Sequence, residues 1–578
     1  MIEAPVAASP PSILCRPVGE LPEGLGTLPP LLRRVYAARG VRGPEELDRS
    51  LKRLLPPRGL GDIDRAAARL AAAIRGREPI LLVGDFDADG ATSVALGVTL
   101  LRALGAERVD FLVPNRFEFG YGLSPEIVAL AAARGPRVLV TVDNGISSVA
   151  GVAAANAAGM DVIVTDHHLP GRELPDAFAL VNPNLPGAEF PSKALAGVGV
   201  IYYVLGAVRA RLRAEGWFET RPEPNLADWL DLVALGTVAD VVRLDPNNRI
   251  LVHQGVLRMR AGRCRPGIRA LAEVAGRPLS KIGAQDLGYA LGPRLNAAGR
   301  LDDMTLGIRC LLADDLEQAR TLARALDELN RARRALEQEM VREAELIVAG
   351  HRLPAADRYG VCVYEPGWHQ GVIGIVAGRL REKINRPVIA FADAGDLYPD
   401  ELKGSARSVP DLHVRDALDA IAARYPGLLS RFGGHAMAAG LSIKRVHYER
   451  FAKVFDAVVA DRLPAHALDW TLETDGSVTA ADLCLETARC LADGGPWGAG
   501  FPEPLFHGDV ELVSQRVVGE AHLKLVVRLD GRLVDAIAFR QPPLDGVQRL
   551  RLAFRLAEND FGDLPTVQLV VEHLFPLQ

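Results

Sequence analysis

Between residues 60 and 245 the chain repeats one pattern, a short unbroken apolar run followed by a stretch with apolar positions at helical spacing. The runs ILLVGD, VDFLV, RVLVTVD, DVIVTD and AFALVN alternate with Ala-rich segments such as ATSVALGVTLLRAL, SPEIVALAAARG and SVAGVAAANAAG. Strands that are apolar on both faces and separated by helices predict a parallel sheet covered on both sides. The expected fold class is therefore α/β, a doubly wound parallel sheet, whose functional groups collect outside the carboxyl ends of the strands. The segment DWLDLVALGTVADVV (228–242) reads as a buried helix that delivers Asp240 from an apolar stretch.

Beyond residue 245 the pattern changes twice. From about 313 to 349 the chain is highly charged, with neither Gly nor Pro before Gly350; as one helix it would span ~50 Å, enough to join two domains. A second α/β unit follows, with strands near GVCVYEP and PVIAFAD, a helix from Val372, and Gly-rich turns at KGSARS (403–408) and RFGGHAMAAG (431–440). In HLKLVVRLDGRLVDAIAF apolar and polar positions alternate on both sides of Asp530-Gly531, a two-residue hairpin signal. Short strands continue to LPTVQLVVEHLF, which predicts a small C-terminal β-barrel. The expected boundaries are an N-terminal extension (1–58), a first α/β domain (59–245), a helical region with the long connector (246–350), a second α/β domain (351–465) and the barrel (466–578).

Composition narrows the classes. A chain of 578 residues exceeds what one core organises, and 49% hydrophobic with 24% charged residues is ordinary for globular proteins. The longest uncharged apolar run, Ala194 to Val208, falls short of the ~18 residues of a membrane span. The first dozen residues carry neither the basic nor the apolar region of a secretion signal. A cytoplasmic protein without a membrane partner is expected. Six cysteines without a CxxC pair argue against a zinc knuckle or a disulfide framework. The net charge of −5 shows no basic bias, and although only eight of the 67 basic side chains are lysines, local placement of Arg says more than its abundance. Carboxylates neutralised by bound metal do not repel phosphate.

Acidic and imidazole groups stand at or just after the strand ends: Asp85, Asp87 and Asp89 in GDFDADG, Asp143 in TVDNG, and Asp166-His167-His168 in VTDHH. Carboxylate oxygens with neutral imidazoles and no thiolate suit a pair of divalent ions such as Mn²⁺ or Mg²⁺. Such a pair points to metal-assisted attack on a phosphate ester. The DxDxDG run alone would equally fit a calcium loop or an acidic turn. Recurrence at successive strand ends, with the His pair and Asp240, separates these readings. Neither Ser147 nor any cysteine has the context of a catalytic nucleophile.

GDFDADG, VDNG, VTDHH and the Asp of VADVV resemble the four motifs of the DHH phosphoesterase superfamily. ALGPRLNAAGRLDD (290–303), GWHQGVIGIVAGRL (367–380), GSARS (404–408), GGHAMAAG (433–440) and GPWGAGFPEPLF (495–506) narrow the resemblance to the RecJ single-strand-specific exonucleases, over nearly the whole chain from about residue 30. The resemblance implies a DHH domain, a long connecting helix, a DHH-associated domain and a C-terminal OB-fold. It implies a 5′→3′ exonuclease on single-stranded DNA that releases 5′-mononucleotides in repair and recombination. By the same resemblance Asp87, Asp89, Asp143, His167 and Asp240 hold two divalent ions, Mn²⁺ ahead of Mg²⁺, with Asp143 as the bridge. Asp85 lies alongside as a ligand or as an acceptor behind the ligands. His168 is placed to steer the scissile phosphate or a proton, and Arg300 joins these catalytic groups.

Substrate contacts implied by the resemblance are Arg294 and Asn296 in GPRLNAAGR, Arg116 and Tyr121 from the active-site edge, Ser405 and Arg407 in GSARS, and His435 beside glycines that permit close approach of a phosphate. Trp497 and Phe501 read as core or interface aromatics. The implied partners are single-stranded DNA, a single-strand-binding protein and a RecQ-type helicase, around a monomer. Two other readings stay open here: a short-oligonucleotide or cyclic-dinucleotide phosphodiesterase of the same superfamily, against which the C-terminal barrel counts, and a non-catalytic single-strand-binding scaffold, against which the complete ligand set counts.

Overall fold

The computed structural model describes residues 12–21, 23–115, 122–350, 358–395, 398–519, 522–560 and 564–577. Arg116 and Tyr121 lie outside the described residues. The chain divides into two units, Cys15–Asn330 with Thr474–Gln578, and Met1–Leu14 with Arg331–Glu473.

In the larger unit the five apolar runs form five parallel strands: β1 (Ile80–Val83), β2 (Val109–Leu112), β3 (Val138–Val142), β4 (Asp161–Thr165) and β5 (Ala179–Val181). Their order is β2-β1-β3-β4-β5. The order reverses beside β1, which puts the switch point of the sheet between the carboxyl ends of β1 and β3. Every residue of β1 and β3 is buried, and the strand period of two sends them into separate cores. Ile80 and Leu82 join the core under helices α1 (Ala88–Ala103), α2 (Gly197–Ala214) and α3 (Leu230–Ala239), while Leu81 and Val83 join Leu123, Ile127 and Val152 on the opposite face. Two further helices matter for the site: α4 (Gly292–Leu301) and the connector α5 (Leu316–Gly350), a single helix of 35 residues.

The same unit contains a closed barrel of strands Phe506–Val518, His522–Leu529, Arg532–Ala538, Thr566–Leu577 and Arg549–Asn559, in that order around it. Asp530 and Gly531 turn its second hairpin with φ of +49° and +76°, as a type I′ turn requires. The N-terminal segment packs against the approach to this barrel. Tyr36 sets its ring 6.1 and 6.2 Å from Trp497 and Phe501, which are 6% and 2% exposed and so belong to the core. The fully buried Asp475 carboxylate accepts from Arg39 at 2.7 and 3.1 Å and from Arg16 at 3.2 Å.

The smaller unit is a five-stranded mixed sheet, ordered Arg431–Gly434, Ala438–Lys444, Glu401–Arg407, Val388–Asp393, Val361–Tyr364, over a core that includes Phe391, Phe451 and Phe455. All six cysteines are free thiols. Among the described residues no helix is long and apolar enough to cross a membrane.

Candidate metal centre

The switch point gathers the predicted acids from four segments. Asp85, Asp87 and Asp89 follow β1, Asp143 follows β3, the Asp166-His167-His168 triplet follows β4, and α3 ends on Asp240. Asp87 is the N-cap of α1, its Oδ1 accepting the Gly90 N–H at 2.9 Å. Asp85 accepts the Phe86 N–H at 2.7 Å. Asp89, 1% exposed, accepts the N–H groups of Gly197 and Val198 at 2.6 and 2.9 Å. These are orphan donors at the start of α2, so one helix terminus both satisfies itself and orients a carboxylate. Asp143 sits at φ +63°, an uncommon conformation for a residue with a Cβ and one that clusters at functional sites. Gly197 makes room for it, since a Cβ there would come within 2.6 Å of the Asp143 carboxylate.

His167 Nε2 lies 3.1 Å from Asp143 Oδ1 and 3.4 Å from Asp240 Oδ2. Both His167 Nε2 and Asp240 Oδ2 are buried and find no hydrogen-bond partner among the described residues. Three sets bring one possible ligand atom from each member within 4.8 Å of one another: Asp85, Asp87 and Asp143; Asp89, His167 and Asp240; Asp143, His167 and His168. Asp143 and His167 each belong to two sets, as expected of a centre for two neighbouring ions.

The electrostatics point the same way. Burial, then the neighbouring Asp87, pushes the Asp89 carboxyl up to about 7. Burial, followed by the negative charge of Asp89 and Asp87, holds Asp143 and Asp240 well above the usual carboxylate range. Burial and the adjacent His168 lower His167 to about 4, so its ring is a neutral imidazole. Burial would lower His168 as well, but its hydrogen bond to Asp166 together with the negative charges of Asp166, Asp85 and Asp87 outweighs this and raises it to about 9. Buried carboxylates that repel one another, beside a neutral imidazole with a bare nitrogen, make a pocket that charge-dense cations relieve. Oxygen and imidazole donors suit Mn²⁺ and Mg²⁺, so the residues present fit the expected ions.

Asp166, which the sequence places only within a motif, supports this centre from behind. It is 1% exposed. Its Oδ1 accepts the backbone N–H groups of His167 and His168 at 2.7 and 3.1 Å and the His168 ring Nδ1–H at 2.7 Å, while Oδ2 accepts the Ile146 N–H at 3.0 Å. Although burial alone would raise it, His168 and these donors keep its carboxyl below the usual range. With Nδ1 committed to Asp166, His168 has only Nε2 left for other chemistry.

Helix α4 closes on the first motif. A Cβ at Gly299 would stand 1.7 Å from the Phe86 carbonyl oxygen, so the helix lies directly on that loop and sets Arg300, half-buried in its last turn, close by. Two expected substrate contacts on α4 make contacts within the protein. Asn296 Oδ1 accepts the Ala88 N–H at 2.8 Å and so holds the ligand-bearing loop. Arg294 is 8% exposed and donates to Asp327 on α5 at 3.0 and 2.9 Å and to the Ala290 carbonyl at 2.7 Å. A buried guanidinium paired with a carboxylate ties two helices together.

In the smaller unit, Ser405 and Arg407 lie on the half-buried side of strand Glu401–Arg407. Cross-strand partners on that side are Gly440 for Ser405, Ala438 for Arg407 and Ser442 for Lys403, with Gly433 opposite Gly440. A Cβ at Gly433 or Gly440 would meet nothing within 4 Å, so packing does not demand glycine at either position. The neighbouring strands therefore add no side chain beside Ser405, while Gly374 of helix Ile373–Ile384 lies against Ser405 and Arg407, where a Cβ would come within 3.0 and 2.9 Å of them. Arg407 donates to Ser405 Oγ at 3.1 Å and to the Ala406 carbonyl at 2.8 Å. His435 occupies the adjoining turn, its N–H donating to the Ala438 carbonyl at 2.8 Å and its Nδ1 accepting the Met437 N–H at 3.3 Å. Lys403 was not anticipated, although its position two residues before Ser405 places it on the same face.

Comparison with known proteins agrees with this picture. Residues 79–237 match the DHH family N-terminal domain, 357–461 the DHHA1 domain, and 474–573 the RecJ OB domain. The chain is 52% identical over 573 residues to the single-stranded-DNA-specific exonuclease RecJ of Salmonella typhimurium, covering 97% of this chain and 98% of that protein. Identity to the RecJ of Bacillus subtilis is 32%, covering 88% of this chain and 62% of that protein. Among solved structures, RecJ from Thermus thermophilus in complex with Mn²⁺ superimposes with a TM-score of 0.79 at 32% identity, covering 96% of this chain and 76% of that one. Its Mg²⁺ complex gives a TM-score of 0.74 at 31% identity, covering 96% and 75%.

Proposed function

The chain belongs to the RecJ family of single-stranded-DNA-specific exonucleases, and on that premise we propose that it degrades single-stranded DNA from the 5′ end, releasing 5′-mononucleotides, with Asp87, Asp89, Asp143, His167 and Asp240 holding two divalent ions. One observation carries the ligand assignment: His167 Nε2 and Asp240 Oδ2 are buried 3.4 Å apart with no hydrogen-bond partner among the described residues. Bound there, the ions supply Lewis acidity to a phosphodiester and make water a better nucleophile near neutral pH.

The protein's own residues supply orientation. Asp89 is aimed by the amides of α2, so its remaining lone pairs face the pocket. Asp143 has two oxygens to share between neighbouring ions. Asp166 keeps the His168 proton on Nδ1 in the neutral ring, and in the protonated ring Nε2–H donates to a phosphate oxygen or to the leaving group. Arg300 offers charge to the substrate, and Asp85, tied to the Phe86 amide, joins Asp87 and Asp143 as a ligand or as an acceptor behind them. Lys403, Ser405, Arg407 and His435 take a terminal 5′-phosphate and the first nucleotide. The barrel adds grip, with Phe539, 59% exposed and 5.1 Å from the His522 ring, available for base stacking. The remaining assignments are a monomeric, cytoplasmic enzyme of repair and recombination, acting on strands opened by a RecQ-type helicase in the presence of a single-strand-binding protein, with the five segments 1–58, 59–245, 246–350, 351–465 and 466–578 as its domains.

The test uses oligonucleotides labelled at either end, single-stranded, duplex or RNA, incubated with purified protein and Mn²⁺. Single-stranded DNA should lose its 5′ label first, as a mononucleotide. Release of the 3′ label first, or turnover confined to substrates of a few nucleotides, would overturn the assignment.

A further inference from the structure

The two histidines of the centre are adjacent in sequence, so the backbone that carries them decides where both rings point. Their N–H groups are held by Asp166. Their carbonyls are held by a different segment, the turn that follows β5. Asn184 Nδ2 donates to the His167 carbonyl at 2.6 Å, and Asn182 Nδ2 donates to the His168 carbonyl at 2.9 Å. The two asparagines are coupled, since Asn182 Oδ1 accepts the Asn184 N–H at 2.7 Å. Lys193 fastens the same turn by donating to the Pro183 and Ala188 carbonyls, both at 2.7 Å. Asn182 is fully buried and Asn184 half-buried.

We infer that Asn182 and Asn184 are positioning residues of the metal centre, clamping the His167-His168 backbone from the side opposite Asp166. A peptide that must present an imidazole nitrogen 3.1 Å from one carboxylate and 3.4 Å from another has little angular freedom. Rotation of either peptide plane swings the ring tips away from those oxygens. A carboxylate in place of either asparagine could not serve, because it has no hydrogen to donate to a carbonyl. Groups that orient metal ligands in this way typically alter metal affinity by 10- to 100-fold.

The inference rests on His167 being a ligand, and the experiment separates the two. Mn²⁺ binding to the full-length protein is measured by electron paramagnetic resonance without DNA, for wild type, His167→Ala, Asn182→Ala and Asn184→Ala, with melting temperatures recorded in EDTA. Asn184→Ala and Asn182→Ala should each weaken Mn²⁺ binding by about 10- to 100-fold and raise by a similar factor the Mn²⁺ concentration for half-maximal cleavage, with most of the rate regained at saturating Mn²⁺. A merely structural role predicts a lower melting temperature with unchanged Mn²⁺ affinity, and that result overturns the inference. If His167→Ala binds Mn²⁺ like wild type, the ligand assignment itself fails. Should Asn182→Ala not fold, Asn184→Ala decides the matter, because that side chain is half-buried and contributes a single donor to the carbonyl.

Discussion

Stripping the metal from this centre should make the stability of the protein fall as pH rises, the reverse of a protein held by ordinary salt bridges. Asp89, raised from 3.8 to about 7, and Asp143 and Asp240, raised well above 3.8, each hold a proton in the folded state over a range where the unfolded chain has lost it. The stability such groups contribute is fully present below about pH 4 and is lost as pH climbs through their folded values. His168, raised from 6.5 to about 9, acts in the same sense above pH 6.5. His167, lowered from 6.5 to about 4, acts in the opposite sense but only below pH 6.5, where the unfolded chain protonates first. The informative window is therefore about pH 6.5 to 8.5. One net extra proton on the folded, metal-free cluster gives a slope of about 1.4 kcal/mol per pH unit, or about 3 kcal/mol across the window. Unfolding entropy scales with chain length, so for a unit of about 420 residues each kcal/mol is worth about 1 °C and the transition should drop by about 3 °C. Calorimetry in EDTA at several pH values measures this, with 1 mM Mn²⁺ as the comparison. The cation should flatten the slope, because it replaces the protons as the neutralising charge. Asp240→Asn removes one of the raised carboxylates, so its metal-free form should melt above wild type at the alkaline end of the window and gain less from Mn²⁺. A metal-free transition that holds steady or rises across the window, in parallel for wild type and Asp240→Asn, would refute the view that these carboxylates repel one another in a desolvated pocket.

Other outcomes follow from the same structure. Asp143→Ala, which removes the carboxylate shared by two ligand sets, should cut cleavage by at least of order 10³ while gel shifts show single-strand binding largely retained. Arg407→Ala should reduce the preference for 5′-phosphorylated over 5′-hydroxyl oligonucleotides by about 10- to 150-fold, equivalent to a charge-assisted contact of roughly 1.5–3 kcal/mol; equal losses on both substrates would make it a general backbone contact. Asp475→Ala leaves the Arg39 guanidinium, with 1% of its side chain exposed, facing the core uncompensated, so thermal unfolding should show a loss of about 3–5 kcal/mol with little effect on the Mn²⁺ dependence of cleavage in the cold.

What is legible in the sequence divides along physical lines. Periodicities of two and 3.6 report burial of an element's own faces, and they place all five parallel strands, the connector helix and the Asp530-Gly531 hairpin. Ligand candidates are legible because the sheet collects strand ends at a switch point, so Asp85, Asp143 and His167 need only the strand assignments to be brought together. The side chains behind the ligands leave no such signal. Asn182 and Asn184 read as turn residues after an apolar run, and their hydrogen bonds to the histidine carbonyls depend on how β5 lies beside β4. The resemblance assigns Arg294 and Asn296 to the substrate, while their contacts with Asp327 and the Ala88 N–H follow from the facing of α4, set by the contact of Gly299 with Phe86, more than 200 residues away in sequence. The Asp475 latch joins residues 436 apart.

This division has an energetic reason. The carboxylates assigned to the ions are the residues least able to place themselves, because in the absence of cations each is destabilised by burial and by its neighbours. Their geometry must therefore be imposed by groups that gain from the arrangement: the amides of α2 on Asp89, the Asp166 carboxylate on the histidine N–H groups, and the asparagine donors on the histidine carbonyls. Asp166 is local to the histidines it holds, but the α2 amides and the asparagine donors come from other segments, so those supports exist only once the sheet and its helices have closed. The chemistry of the site can be read from residue types, whereas its precision is a property of the tertiary fold. Substitutions in the supporting shell should accordingly shift metal affinity before they touch the intrinsic chemistry, while substitutions of the ligands abolish the chemistry and relieve the metal-free fold.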